Sequence, residues 1–259
     1  MSLLTSTKRA IGAMLARYYP RGLITYHLRT QSRNCEPELW LVPKIMNRSG
    51  VAIDIGANEG YWSLQLARYA KHVHAFEPNP ICLAKLRRIL PDSVTLHPVA
   101  LSDNSGTKKL RFDPKNTGIG TIETGNPLTE NSGIRRIETK DVTTICLDDF
   151  GLNDVVLIKI DVEGHEEAVL RGAAATLDRN RPIVICEIVE GHNAGGLARI
   201  RAQFEGRGYR ECVLDGGCLR PLMEIEAEDG GKLGFAEGVY NFVFVPADKE
   251  LTLCGTCSR

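Results

Sequence analysis

Residues 51–60 read VAIDIGANEG, and the reading of the fold turns on them. Residues 51–55 make a short apolar strand, Gly56 opens a tight turn, and Gly60 closes it. Behind the turn, Trp62, Leu66 and Ala70 recur at helical spacing. Glycine allows a sharp turn and a close approach of backbone to a ligand. A strand that passes through such a turn into a helix is how a nucleotide-binding βαβ unit begins. The rhythm continues with a strand at HVHAF (72–76), a helix over 80–90 and a strand at VTLHPVAL (94–101). It resumes with VVLIKID (155–161), a helix over 166–177, IVICEIV (183–189), a helix over 197–207, a strand near 209–214 and VYNFVFV (239–245). Alternating apolar strands and helices predict an α/β fold on a mainly parallel sheet. The last two strands flank a polar stretch at 215–238 and suit an antiparallel hairpin at a sheet edge.

Residues 102–140 break the pattern. They are rich in Gly, Asn, Thr and Pro, with one short strand expected at 108–112. They read as an inserted loop, and 113–138 is expected to be mobile until it orders over a bound acceptor. The predicted organisation is an N-terminal helical extension (1–47) packing on the core, a domain over 48–247 carrying the insert 102–140, and a tail at 248–259.

Composition narrows the partners. Thirty-two basic residues balance 32 acidic ones, which gives no whole-chain attraction to nucleic acid or anionic membrane. No apolar run approaches the roughly 18 residues of a membrane span. Residues 1–35 carry Lys8, Arg9, Arg17, Arg21, Arg29 and Arg33 with no acid. Such a stretch suits a targeting peptide or a membrane-surface helix, but it lacks the apolar core and cleavage site of a secretory signal, and the expected reading is a helix or two packed on the domain. Most of the eight cysteines sit singly in apolar runs, which suits a reduced, cytoplasmic protein. Cys254 and Cys257 form a lone CxxC without two further ligands nearby, and no metal is expected there.

The turn at 54–60 fits neither the three-glycine dinucleotide fingerprint nor a phosphate loop. Asp54 at the strand end would repel a pyrophosphate and attract an ammonium. Glu77 lies 21 residues after Gly56, at the next strand end, where an acid takes ribose hydroxyls. Together these point to an amino-acid-bearing nucleoside. A second acidic group, Asp161, Glu163, His165, Glu166 and Glu167, follows VVLIKI. Its position beyond a strand's carboxyl end places it at the ligand crevice. Asp161 or His165 could serve as general base; His165 could equally cap the next helix, and Glu166 and Glu167 suit a first helical turn. Asp161, Glu163 and His165 also outline a divalent-metal cluster, but no convincing further ligand accompanies them, and metal independence is expected. Glu187 ends IVICE and braces the substrate side or a neighbouring loop, while Glu190 and His192 read as surface residues.

VAIDIGANEG, AFEPNP, VVLIKIDVEGHEEAVLRGA (155–173), RPIVICE (181–187) and YNFVFVP (240–246), in that order, resemble the FkbM family of S-adenosylmethionine-dependent methyltransferases. The resemblance spans about residues 36–246, and IKIDVEGHE is its most specific motif. It implies a single class I, Rossmann-like methyltransferase domain: seven strands, mostly parallel, with an antiparallel last strand. It implies methyl transfer to a hydroxyl of a sugar, polyketide-like or other small-molecule acceptor, with S-adenosylmethionine as cofactor. Gly56, Asn58 and Gly60 would then lie on the methionine moiety, Asp54 near its ammonium, Glu77 on the ribose, and Asn79 and Ala100 beside the adenine. Asp103 would accept from the adenine amino group or remain a solvated turn carboxylate. A homodimer is left open; nucleic acid is not an expected partner. The alternatives are an NAD-dependent oxidoreductase and a non-catalytic nucleotide-binding protein.

Overall fold

Strand β1 (Val51–Ile55) lies inside an eight-stranded sheet, paired in parallel with β2 (His72–Phe76) on one side and β8 (Val155–Ile160) on the other. Beyond β2 lies β3 (Val94–His97), and beyond β8 lies β9 (Ile183–Glu187), both parallel to their neighbours. Of these five, β1, β8 and β9 are buried on both faces and so are largely apolar, because such a strand has no polar side to show. The connections are α3 (Tyr61–Leu66), α4 (Pro80–Ile89), and the pair α5 (Glu166–Arg171) and α6 (Ala174–Asn180). Ahead of β1 stand α1 (Pro20–Thr30), a 3-10 turn at Pro37–Trp40 and α2 (Val42–Ile45). The computed structural model describes residue 14 and residues 19–30, 35–46, 49–128, 136–228 and 241–249. Ile24, Leu28, Leu39, Leu41, Val42 and Met46 from the N-terminal elements join the core beside β1. No helix among the described residues is long and apolar enough to cross a membrane.

The far side of the sheet departs from the expected seven strands. After α7 (Gly196–Phe204) come β10 (Tyr209–Asp215), β11 (Cys218–Pro221), α8 (Leu222–Glu228) and β12 (Asn241–Pro246). The sheet order is β11-β10-β12-β9-β8-β1-β2-β3, with β12 antiparallel to β9 and β10, and β11 antiparallel to β10. The last strand is antiparallel, but it is not at an edge. It enters between β9 and β10, and Phe242, Val243, Phe244 and Val245 are buried there. The eighth strand, β11, comes from the stretch read as polar excursion, where the turn Gly216–Gly217 folds Cys218–Pro221 back onto β10. The helix expected over 166–177 is two helices. A Cβ on Gly172 would stand 2.0 Å from the Ser102 carbonyl oxygen, so the chain bends where it passes under that loop.

Residues 102–140 are largely a second sheet rather than a loop. Its strands are β4 (Ala100–Leu101), β5 (Gly106–Asp113), β6 (Asn116–Thr121) and β7 (Glu138–Ile145), in the order β4-β7-β5-β6. The third strand of the sequence reading therefore divides at Pro98 between two sheets. Ala100, Leu110, Phe112, Ile122 and Val142 give the small sheet its own apolar core. Thr121 Oγ1 and Asn126 Nδ2 donate to the Glu163 carbonyl at 2.8 and 2.7 Å, tying it to the loop after β8. Residues 129–135 of the expected mobile stretch lie outside the described residues. The seven-pair ladder from Gly106↔Thr144 to Phe112↔Glu138 should hold its amides closed without any ligand. Hydrogen exchange on the free protein checks this: fast exchange throughout β5 and β7 would overturn it, and fast exchange throughout β6, the strand inside 113–138, would restore the mobile-cover reading.

Candidate functional site

Two adjoining cavities open at the carboxyl ends of β1, β2 and β8. Gly56, Asn58, Thr117, Gly118 and Asp161 belong to the walls of both. The turn between β1 and α3 is close-packed: Gly56 has φ +86°, and a Cβ there would lie 1.8 Å from the Asp161 carbonyl oxygen. Only glycine lets the two strand ends approach in this way. Gly60, at φ +88°, starts α3 against Leu86 and Ile89 of α4.

The first cavity has apolar walls from Phe76, Leu101, Leu110 and Ile122. Glu77 stands among them, 6% exposed. Its Oε2 accepts from the Asn58 backbone N–H at 2.8 Å and its Oε1 from that of Asn79 at 2.7 Å. Burial pushes its pKa up to about 7, against the pull of those two bonds. Each oxygen keeps lone-pair capacity for a further donor. Asn79 Oδ1 caps α4 by accepting from Ile81 N–H at 3.0 Å. Among the described residues its Nδ2 is buried without a partner, in a residue that lines this cavity. Ala100 is also a wall residue. A buried donor left open costs about 1–3 kcal/mol, so Asn79 is poised for an acceptor from outside the chain.

The second cavity is bounded by Glu36, Tyr61, Trp62 and Lys115 besides the shared residues. Beneath it lies Lys159, on the same sheet face as its register neighbour Asp54 and only 1% exposed. Its Nζ donates to Asn241 Oδ1 at 2.6 Å and to Glu36 Oε2 at 3.3 Å, stands 4.0 Å from Glu187 and lies 5.2 Å from the centre of the Trp62 ring. Burial works to lower the lysine's pKa, but Glu36, Asp161 and Glu187 together hold it above the ordinary value. Burial pushes Asp161 well above the usual carboxylate range; Lys159 opposes the rise, and Glu187 and Glu163 add to it. Glu187, hydrogen-bonded to Asp161, is raised by burial too. A single lysine thus faces several carboxyl groups whose common requirement is more positive charge. The sequence reading did not single out Lys159, Glu36 or Asn241. The lysine inside VVLIKI was the available signal, since a lone cation in a buried strand needs partners.

The structure places the other expected site residues unevenly. Asp161, Glu163 and His165 all line the first cavity. His165 does not cap α5 with its side chain. Its Nδ1 lies 2.9 Å from Glu123 Oε2, and its Nε2 is 2.9 Å from Ser102 Oγ and 3.4 Å from Lys108 Nζ. Burial lowers its pKa despite the Glu123 bond. Glu163 sits at φ +56° and pairs with His192 at 3.0 Å, so His192 is a partner of the site loop rather than a bystander. Glu166 accepts from Gly164 N–H at 2.8 Å and turns the loop into α5. Asp54 is not brought to either cavity: it is 1% exposed, accepts from Ser63 Oγ at 2.5 Å, and burial pushes it up to about 6. Asp103 is likewise drawn away, clamped by two bonds from Arg171 at 3.1 and 2.7 Å, which hold its carboxyl below the usual range.

These walls suit S-adenosylmethionine, the cofactor the resemblance implies. An apolar cavity with an acid that can take paired hydroxyls and an open buried amide donor fits adenosine; a carboxylate-rich junction fits a cation. Comparison with known proteins points the same way. Residues 54–211 match the model of the methyltransferase FkbM domain. Methyltransferase SdnD of Sordaria araneosa is 30% identical over 191 residues, covering 61% of this chain and 72% of that one. The 2-O-methyltransferase NoeI of Sinorhizobium fredii is 34% identical over 149 residues, 51% of this chain and 60% of its own. The 31-O-demethyl-FK506 methyltransferase FkbM of Streptomyces tacrolimicus is 30% identical over 195 residues, 61% and 72% of the two chains. Neither the oxidoreductase alternative nor a non-catalytic nucleotide binder finds support among these relatives. A domain match over more than half of the chain, with those walls behind it, makes this protein a member of the FkbM family of methyltransferases, with S-adenosylmethionine as its cofactor.

Proposed function

We propose that the protein methylates a hydroxyl oxygen of a small-molecule acceptor, a carbohydrate or polyketide-like natural product, and that Asp161 removes the hydroxyl proton. The observation that carries this reading is the place of Asp161: a buried carboxyl in the walls of both cavities with raised proton affinity. A general base works best when its pKa is brought toward the operating pH. The bound cofactor supplies an electrophilic methyl group. Around it the chain's residues bind, orient and exclude water. Glu77 takes the ribose hydroxyls, Asn79 and Ala100 border the adenine, and Gly56, Asn58 and Gly60 shape the turn under the amino-acid end. Glu187 lines neither cavity and acts through Asp161, whose proton it shares, and Lys159 keeps the carboxyl pair anionic enough to accept one more. Glu163 and His165, each held by a partner, set the wall of the site instead of shuttling a proton. Two relatives named for oxygen-directed transfer, the 2-O-methyltransferase and the 31-O-demethyl-FK506 methyltransferase, support an oxygen acceptor. We place the enzyme in the cytoplasm, where its unpaired thiols such as Cys82, Cys186 and Cys212 suit a reducing compartment.

The direct experiment presents methyl-labelled cofactor and a panel of hydroxylated acceptors, with monosaccharides, oligosaccharides and macrolide-like alcohols side by side. Label in an ether product supports the reading. Transfer confined to amine or carboxylate acceptors would sink it. For the cofactor end, Glu77→Ala removes the acceptor of both ribose hydroxyls and also frees the Asn58 and Asn79 amides. Calorimetry with S-adenosylhomocysteine should read a loss of about 10–100-fold, the order of one to two charge-assisted hydrogen bonds. Unchanged affinity would remove Glu77 from the cofactor site.

A further inference from the structure

Asp54 was the expected partner for the cofactor's ammonium, yet it faces Ser63 and lies in neither cavity wall. The acids that do line the second cavity are Glu36, Glu59 and Asp161. Glu59 is engaged by Lys85 at 2.6 Å, and Asp161 is bonded to Glu187. Glu36 differs from both. Its Oε2 accepts from Lys159 and from Asn241 Nδ2, each at 3.3 Å, while Oε1 accepts only the Trp62 Nε1–H, at 3.0 Å, among the described residues. A carboxylate offers about four lone-pair sites, so Oε1 keeps one for a donor in the cavity. Trp62 and Lys159 anchor the group from below and leave it 36% exposed on the cavity side.

We infer that Glu36, which precedes the matched domain at 54–211, receives the α-ammonium of the cofactor's amino-acid end in the second cavity. The inference rests on the placement of adenosine in the first cavity proposed above. From there, the shared walls Gly56, Asn58 and Asp161 lead to Glu36. The N-terminal segment then has a binding role: the 3-10 turn at Pro37–Trp40 buries Leu39 in the core and so fixes the residue before it. Full cofactor recognition needs this segment, because the carboxylate that neutralises the ammonium is not supplied by the turn at 54–60.

Ligands that differ only in the amino-acid end test this on the full chain. Calorimetry compares S-adenosylhomocysteine, its deaminated analogue and 5′-methylthioadenosine, which lacks the amino-acid end. Glu36→Gln should weaken S-adenosylhomocysteine by about 10–100-fold, the range of a hydrogen bond to a charged group, and leave 5′-methylthioadenosine within about threefold. The unsubstituted protein should show the same loss for the deaminated analogue, a readout that holds even if the variant folds poorly. Glu36→Asp should recover part of the affinity. Equal weakening of all three ligands by Glu36→Gln would assign the residue to structure, and equal binding of S-adenosylhomocysteine and its deaminated analogue by the unsubstituted protein would also overturn the inference. Tight 5′-methylthioadenosine binding that Glu77→Ala leaves untouched would instead strike the adenosine placement beneath it.

Discussion

Asp161→Asn should slow methyl transfer by about 10²–10⁴-fold, the span that a positioned general base contributes, while S-adenosylhomocysteine affinity changes by no more than about threefold. Asparagine keeps the shape and the Glu187 contact but cannot take a proton. The pH profile gives the assignment its sharper test. With a pKa raised well above 3.8 by burial, Asp161 is protonated and idle at low pH, and the rate should climb as pH rises through that raised value, then level off. Asp161→Asn should remove that limb. A limb belonging to His165 would have the same sense, since an imidazole base is also idle when protonated; burial holds that group below 6.5, and its limb would survive Asp161→Asn and disappear in His165→Gln. A His165→Gln enzyme with a lost acid limb and an Asp161→Asn enzyme of normal rate would exchange the two roles.

Lys159→Met should destabilise the fold by about 3–5 kcal/mol at neutral pH and above, because removing one partner leaves buried carboxyls uncompensated. Lys159 is the cation facing Glu36, Asp161 and Glu187, and it is 1% exposed. The loss should depend on pH in a fixed direction. Asp161 and Glu187 have folded pKa values above their ordinary 3.8 and 4.5. The folded state therefore binds their protons more tightly, and stability falls as pH rises from those ordinary values through the raised ones. Taking away Lys159 removes the charge that opposes the rise, so the window widens upward. The lysine's own pKa is raised, so its stabilisation is present throughout the range below 10.5. Denaturant titrations should find the variant closer to the parent near pH 5 than near pH 8. A deficit that is equal at both, or larger at pH 5, would mean that Lys159 acts through packing on Trp62 rather than through charge.

The parts of this molecule written in local pattern were legible in the chain. VAIDI, HVHAF, VVLIKI and IVICE are apolar enough to be interior strands, and glycines at 56 and 60 are demanded by the left-handed backbone and the close approach that any β1–α3 turn of this kind requires. The offset to Glu77 follows from the length of one strand, turn and helix, and Glu77 lines the first cavity together with Asn79 and Ala100. The small sheet was legible only in part. Leu110 and Phe112 alternate with charges in KKLRFD, and Asp113–Pro114–Lys115–Asn116 has the composition of a turn, but the glycines of β6 masked a strand, and β7, the other partner of β5, is more than twenty residues on.

What only the tertiary structure decided is which polar groups meet. Asp54 and Lys159 are register neighbours across β1 and β8, yet Asp54 closes on Ser63 while Lys159 reaches Glu36 across 123 residues of sequence and Asn241 across 82. Hydrophobic periodicity says which face of a strand or helix leaves water, and it says so from neighbours a few positions apart. The pairing of buried charges is settled by desolvation and geometry among elements far apart in the chain, and no spacing records it. That is why the carboxyl ends of the strands could be read as the site from sequence, whereas Glu36 in the cavity wall, and its pairing with Lys159 and Asn241 behind it, came only with the fold.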